Sequence, residues 1–250
     1  MRYLNIAIIT TSLALLLNAC SSSTPVQPSK KVSALPSIAQ HNHSHSHQHQ
    51  PISKGIPQSF LIWLGQGNNK QQVESYYAFL QRNGVADIVP MYELLRTARA
   101  WQECGRDQYA VPSSELWHNS ISTLKVFSML KKQKILTDFE VTSVYRDENL
   151  NQCAGGAKSS KHLFNSAIDF RLGSEYPQPS EFFQIEQTKA KLCHFWAKHG
   201  ELYNMGIGVY RSGQIHIDTQ GFRTWGPELT RESSPCYYEW LSLNPPTVTY

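Results

Sequence analysis

No apolar run near the start of this 250-residue chain is long enough to cross a bilayer comfortably. The run from Ile6 to Leu17 falls short of the about 20 apolar residues a spanning helix needs. Arg2 before it and small or polar residues after it make residues 1–19 read as a signal peptide. A clustered Lys/Arg stripe is also missing. The 23 Lys and Arg exceed the 19 Asp and Glu only enough for a net charge of +4, which argues against a nucleic-acid partner and suits an anionic polymer such as cell-wall glycan with its peptide carboxylates. There is no internal repeat. Cysteine is sparse, at five residues. Cys20 stands apart, and the even set Cys104, Cys153, Cys193 and Cys236 suggests two disulfides in an exported protein. Of the three possible connectivities, Cys104 with Cys153 and Cys193 with Cys236 is favoured.

Leu17-Asn18-Ala19-Cys20 resembles the bacterial lipobox, in which the Cys becomes the lipidated first residue of the mature chain. Ser21, rather than Asp, follows it, as in lipoproteins sorted to the outer membrane of Gram-negative bacteria. Residues 20–57 are poor in aliphatics and rich in Ser, Pro, Lys, Gln and His, so they bury too little apolar surface to offset ordering entropy and read as a tether. Within them His41, His43, His45, His47 and His49 alternate along HNHSHSHQHQ. Such a tract is either a metal-loading arm or a solvated linker with incidental metal affinity.

The remainder has the size of one domain. Residues 58–135 read as its helical part, 136–230 as its core and 231–250 as a C-terminal tail. Apolar spacing predicts helices over 70–83, 91–104 and from Ser113 or Ser114 to about Gln133. The period then changes. FEVTSVY, Phe139 to Tyr145, reads as a strand, and so does Ala167 to Leu172. A helix over 180–199 ends at Gly200, and Arg211-Ser212-Gly213 looks like a hairpin loop between strands 207–210 and 214–219. Helices first and strands later imply an α+β fold, with a small antiparallel sheet packed against helices.

The chemistry concentrates in SSKHLFNSAIDF, Ser159 to Phe170, and QIHID, Gln214 to Asp218. On the second stretch Gln214, His216 and Asp218 share one face and Ile215 and Ile217 the other. In the first, Asp169 projects away from Ile168 and Phe170, and His162 sits in a loop before it. Two His and one carboxylate with an open position suit a catalytic zinc, which lowers the pKa of bound water to about 7.

The strings VYRDENLNQCAGGAKSSKHLFNSAIDF and GIGVYRSGQIHIDTQGFRTWG resemble the peptidoglycan-cutting zinc peptidases of the D-Ala-D-Ala metallocarboxypeptidase type, which share a fold group with lysostaphin and the hedgehog signalling domain. The shared elements are Tyr145-Arg146, then Ser160, His162, Ala167 and Asp169, then Gly206, Gly208 and Tyr210, then His216 and Asp218, in the His-x-Asp form, with Arg223 and Trp225 after them. The resemblance implies that His162, Asp169 and His216 bind Zn2+. It implies that Arg146 polarises the scissile carbonyl or holds a substrate carboxylate, with Ser160 and Tyr210 also on the substrate. Two positions depart from the pattern. The motif Gly is Asn165, a residue that tolerates a left-handed backbone. Where many members carry a general-base acid, three residues before the last ligand, this chain has Gly213. Asp218 is the candidate base, with orientation of a metal-bound His as its alternative role.

The function expected from these residues is hydrolysis of amide bonds in peptidoglycan stem peptides or cross-links, by a lipid-anchored enzyme facing the periplasm. A non-catalytic peptidoglycan-binding lipoprotein on the same fold is the main alternative, and metal handling through the His tract is a third.

Overall fold

The computed structural model describes residues 55–245. The signal peptide, Cys20 and the His tract lie outside them, as does most of the tether. Three helical segments come first: α1 (Gln58–Leu64), α2 (Asn69–Arg82) and the single turn α3 (Met91–Leu94). On α2 the buried residues Val73, Tyr76, Phe79 and Leu80 recur every three or four positions, so one stripe faces the core. The chain leaves that helix through Gly84, at φ 66°.

The helix expected over 91–104 stops after one turn. Beyond Leu95 the backbone finds partners outside any helix: Arg96 bridges Tyr109, the Thr97 amide donates to the Gln108 carbonyl and the Val144 amide donates to the Arg96 carbonyl. Tertiary pairing thus overrides a helical apolar pattern. After a 3₁₀ turn at Ser114–Leu116, α4 (Asn119–Lys132) buries Leu124, Phe127 and Leu130.

The sheet contains β1 (Glu140–Ser143), β2 (Ala167–Arg171), β3 (Gly206–Val209), β4 (Gln214–Asp218) and β5 (Arg223–Trp225) in the order β1-β2-β4-β3-β5. Its pairs are antiparallel except β3 with β5. The α+β expectation holds, but the sheet is mixed: β5 returns alongside β3 in the same direction instead of turning back on it. The apolar face of β2 and β4 carries Ile168, Phe170, Ile215 and Ile217, each at most 2% exposed. Phe170 meets Phe127 of α4 edge to face, with ring centroids 5.2 Å apart.

Between β1 and β2 lie α5 (Glu148–Cys153), capped by Asp147, and a 3₁₀ turn at Lys161–Phe164. Between β2 and β3 runs α6 (Pro179–His199), the longest helix among the described residues, with Pro179 in its first turn and a reciprocal cap between Gln178 and Glu181. Within the expected tail, residues 231–245 include a further helix. Ser234 caps α7 (Pro235–Leu243), whose Cys236 is buried and disulfide-bonded to Cys193 of α6. The second bridge joins Cys104 to Cys153.

Replacing Cys193 and Cys236 together by Ser should cost about 2–4 kcal/mol, because the bridge closes a long loop in the unfolded chain. Thermal unfolding of the double variant against the wild type checks this. An unchanged midpoint would mean that packing alone holds α7.

Candidate metal centre

The register of β2 against β4 pairs Asp169 with His216 and Ala167 with Asp218. Alternation along the strands then turns Asp169 and His216 to the face opposite the isoleucines, directly beside one another. His162 reaches the same point from the 3₁₀ turn before β2. That turn ends on Asn165 at φ 54° and ψ 30°, so Asn serves in the left-handed position where glycine was expected. His162, Asp169 and His216 can each offer one ligand atom, and the three atoms lie within 4.8 Å of one another.

The outer hydrogen bonds decide which atoms are offered. His162 Nδ1–H donates to the Val144 carbonyl at 2.5 Å, an acceptor that cannot donate, so the lone pair sits on Nε2. His216 has its Nε2 against Asp218 Oδ2 at 2.9 Å, which leaves Nδ1 facing inward. His162 Nε2 and His216 Nδ1 both meet Asp169 Oδ1, at 3.1 and 2.8 Å. The second carboxylate oxygen, Oδ2, accepts from Arg146 Nη2 at 2.5 Å. Two imidazoles held from behind by a carbonyl and a carboxylate, with a carboxylate in front, form a donor set that fits a divalent cation of the zinc type.

Burial pushes the Asp169 carboxyl up, but the charges and hydrogen bonds of His162 and His216 outweigh it and hold the group well below the usual carboxylate range. Burial lowers His162, a shift toward the neutral ring that a ligand must have. Burial also works against protonation of His216, yet the carboxylates on its two nitrogens raise it above the ordinary histidine value.

Asp218 does not sit where the sequence reading put a general base. It is 0% exposed and does not line the cleft. Its carboxylate accepts from Arg223 at 2.6 and 3.1 Å and from the Gln220 amide at 2.8 Å, besides its contact with His216. Its place is behind the ring, where it orients His216. Arg223, the motif residue that follows it, pairs with this buried carboxylate. Nor can position 213 supply an acid. Gly213 has φ 80°, and a Cβ there would lie 2.7 Å from the Leu172 carbonyl oxygen.

The centre opens into a cleft of about 640 Å³ lined by Arg146, Ser160 and Tyr210 among others. Ser160, named from the motif, lies half-buried at the start of the 3₁₀ turn. Tyr210 accepts a hydrogen bond from Trp225 Nε1 at 2.8 Å, and the Trp225 ring packs on His216 with centroids 5.1 Å apart. Gly208 makes room for that ring, since a Cβ there would come within 2.5 Å of it. Sequence reasoning missed Ser143, which accepts from Arg146 Nε at 2.8 Å, and the Val144 carbonyl. Nothing in the residue identities marks a backbone carbonyl as a ligand-orienting group.

A protein-family model described as Peptidase M15 matches residues 91–218, just over half of the chain. No curated protein and no solved structure gave a match.

Metal-stripped protein titrated with Zn2+ should take up one ion at this centre, and His162→Ala and His216→Ala should each lose it. Asp218→Asn should keep the site but weaken it about 10- to 100-fold, the usual effect of losing a group that orients a ligand. Binding isotherms read both; unaltered affinity in Asp218→Asn would remove the orienting role.

Proposed function

The chain belongs to the M15 peptidase family, and from that premise we propose a zinc-dependent peptidase that hydrolyses amide bonds in peptidoglycan stem peptides or cross-links. The observation that carries the reading is the convergence of His162 Nε2, Asp169 Oδ1 and His216 Nδ1 at the floor of an open cleft, each group held from behind. A zinc ion in such a site supplies Lewis acidity, which polarises a carbonyl and acidifies water.

The chain's own residues provide the remainder. Asp218 holds His216 through Nε2, so Nδ1 is the nitrogen that faces forward. Arg146 commits Nε to Ser143 and Nη2 to Asp169, while Nη1 has no partner among the described residues and is the part available to a substrate oxygen. Tyr210 uses its oxygen to accept from Trp225, which leaves its own O–H to donate into the cleft. Burial raises the Tyr210 pKa above the ordinary tyrosine value, so the proton is in place at neutral pH. Arg146 and Tyr210 thus face the charge that develops on a carbonyl oxygen.

The N-terminal sequence supports a lipid anchor at Cys20 and a place on the periplasmic side of the outer membrane, with residues 20–57 giving reach toward the wall. One observation favours the alternative of a non-catalytic peptidoglycan binder. Among the described residues lining the cleft, Asp169 is the only carboxylate, so no separate acid stands ready as a base.

Purified sacculi incubated with the zinc-loaded protein separate these readings by mass spectrometry of muropeptides. Chelator-sensitive loss of cross-linked dimers or of terminal D-Ala is the expected outcome, and an unchanged profile would favour the binder. In the active case Tyr210→Phe should lower kcat by about 100-fold, as loss of one oxyanion donor does. Arg146→Ala is a poorer test, because it would leave the Asp169 carboxylate without its partner.

A further inference from the structure

The cleft is lined by four cationic side chains, Arg99, Arg146, Lys161 and Arg223, against the single carboxylate of Asp169. Two of the four are committed: Arg146 to Asp169 and Arg223 to Asp218. Arg99 differs. Its side chain is exposed, whereas that of Lys161 is half-buried, and neither makes a hydrogen bond or ion pair among the described residues.

The backbone that presents it is nonetheless fixed. Thr97 donates through its amide to the Gln108 carbonyl at 3.0 Å and through its hydroxyl to the Asp107 carbonyl at 2.7 Å. The Thr97 carbonyl accepts from the Ser143 hydroxyl, and Ser143 is the residue that also holds Arg146 Nε. Seven residues beyond Thr97 the chain is tied to α5 by the Cys104–Cys153 bridge. Arg99 therefore extends from a segment anchored at both ends, one end sharing its anchor with the metal centre. Its charge reaches Tyr210 across the cleft, where with Arg146 it opposes the effect of burial on the hydroxyl. A charged fork on an anchored backbone, with no acid paired to it among the described residues, is available to an external carboxylate.

Resting on the peptidase reading above, we propose that Arg99 is the specificity-determining residue of this cleft and selects substrates by binding a carboxylate of the peptide. That carboxylate has two possible sources, the C-terminus of the peptide or an acidic residue within it. A peptide with the sequence L-Ala-D-Glu-L-Lys-D-Ala-D-Ala distinguishes them in three forms: free, amidated at its C-terminus, and amidated at the D-Glu carboxyl.

Zinc-loaded protein is titrated with each form by calorimetry, and hydrolysis is followed in parallel. The wild type should bind the free form about tenfold or more tightly than one of the two amides, the difference expected for a charge-assisted pair at a partly screened site. Arg99→Ala should abolish that gap without changing the affinity for the discriminated amide. Arg99→Lys should retain part of it. Added salt should narrow the gap in the wild type and in Arg99→Lys, which both keep a charge at this position. Because Arg99 is exposed, both variants should melt with the wild type. A gap against the C-terminal amide assigns the terminal carboxylate, and a gap against the D-Glu amide assigns the internal one. Equal binding of all three forms by the wild type, a gap that persists in Arg99→Ala, or an equal loss for every form would each overturn the assignment. Carboxylate-dependent binding without hydrolysis would leave Arg99 in its role and remove the peptidase reading instead.

Discussion

The site depends on one carboxylate and its surroundings. Asp169 stands between two imidazoles on one oxygen and a guanidinium on the other, and each partner arrives from a different part of the chain. Taken singly, a buried Asp or His is costly, because desolvation penalises the charged form. Together the groups compensate one another, and the net effect on Asp169 is a carboxylate held firmly ionised. The hydrogen bonds behind the rings extend the same constraint outward, through the Val144 carbonyl on one side and the Asp218–Arg223 pair on the other. A cation entering the centre meets donors whose orientation is already fixed, so little ordering remains to be done on binding.

Much of this was legible before any coordinates, for a physical reason. Strand alternation is a strict period of two, so IDF and QIHID state which side chains face the core and which face away. The left-handed turn at Asn165 was legible as well, because few residues accept that backbone. Other features could not be read. The apolar residues of 91–104 fit a helix, but the partners that unwind it after Leu94 lie at Gln108, Tyr109 and Val144, and spacing within one segment does not reveal them. The helix at 235–243 is short and escaped notice, although the bridge that ties its Cys236 to Cys193 was the favoured pairing. The parallel pairing of β5 with β3 is likewise a tertiary choice.

Asp218 shows where face periodicity stops being informative. It shares a strand face with His216, and that much follows from the sequence. Depth does not. Two residues along the strand from His216, its carboxylate has left the cleft and entered the protein, where Arg223 and the Gln220 amide surround it. A carboxylate so fully bonded is a poor proton acceptor for a substrate but a good anchor for an imidazole. Arg99 is the reverse case, with the charge and the access but no partner among the described residues.

The pairing of Asp169 with His216 also makes the centre all-or-none. Shifting β2 against β4 by one residue would separate the pair, and rotating either strand to recover it would drive charged groups into the layer occupied by Phe170 and Ile215. The packing that stabilises the sheet and the geometry that assembles the centre therefore reject the same errors. Insertions are tolerable in the loop at 210–213 only to the extent that the ladder on either side keeps count. Variation in this protein can accordingly be gradual in the side chains around the cleft, while the strand register beneath it has no intermediate setting between assembled and lost.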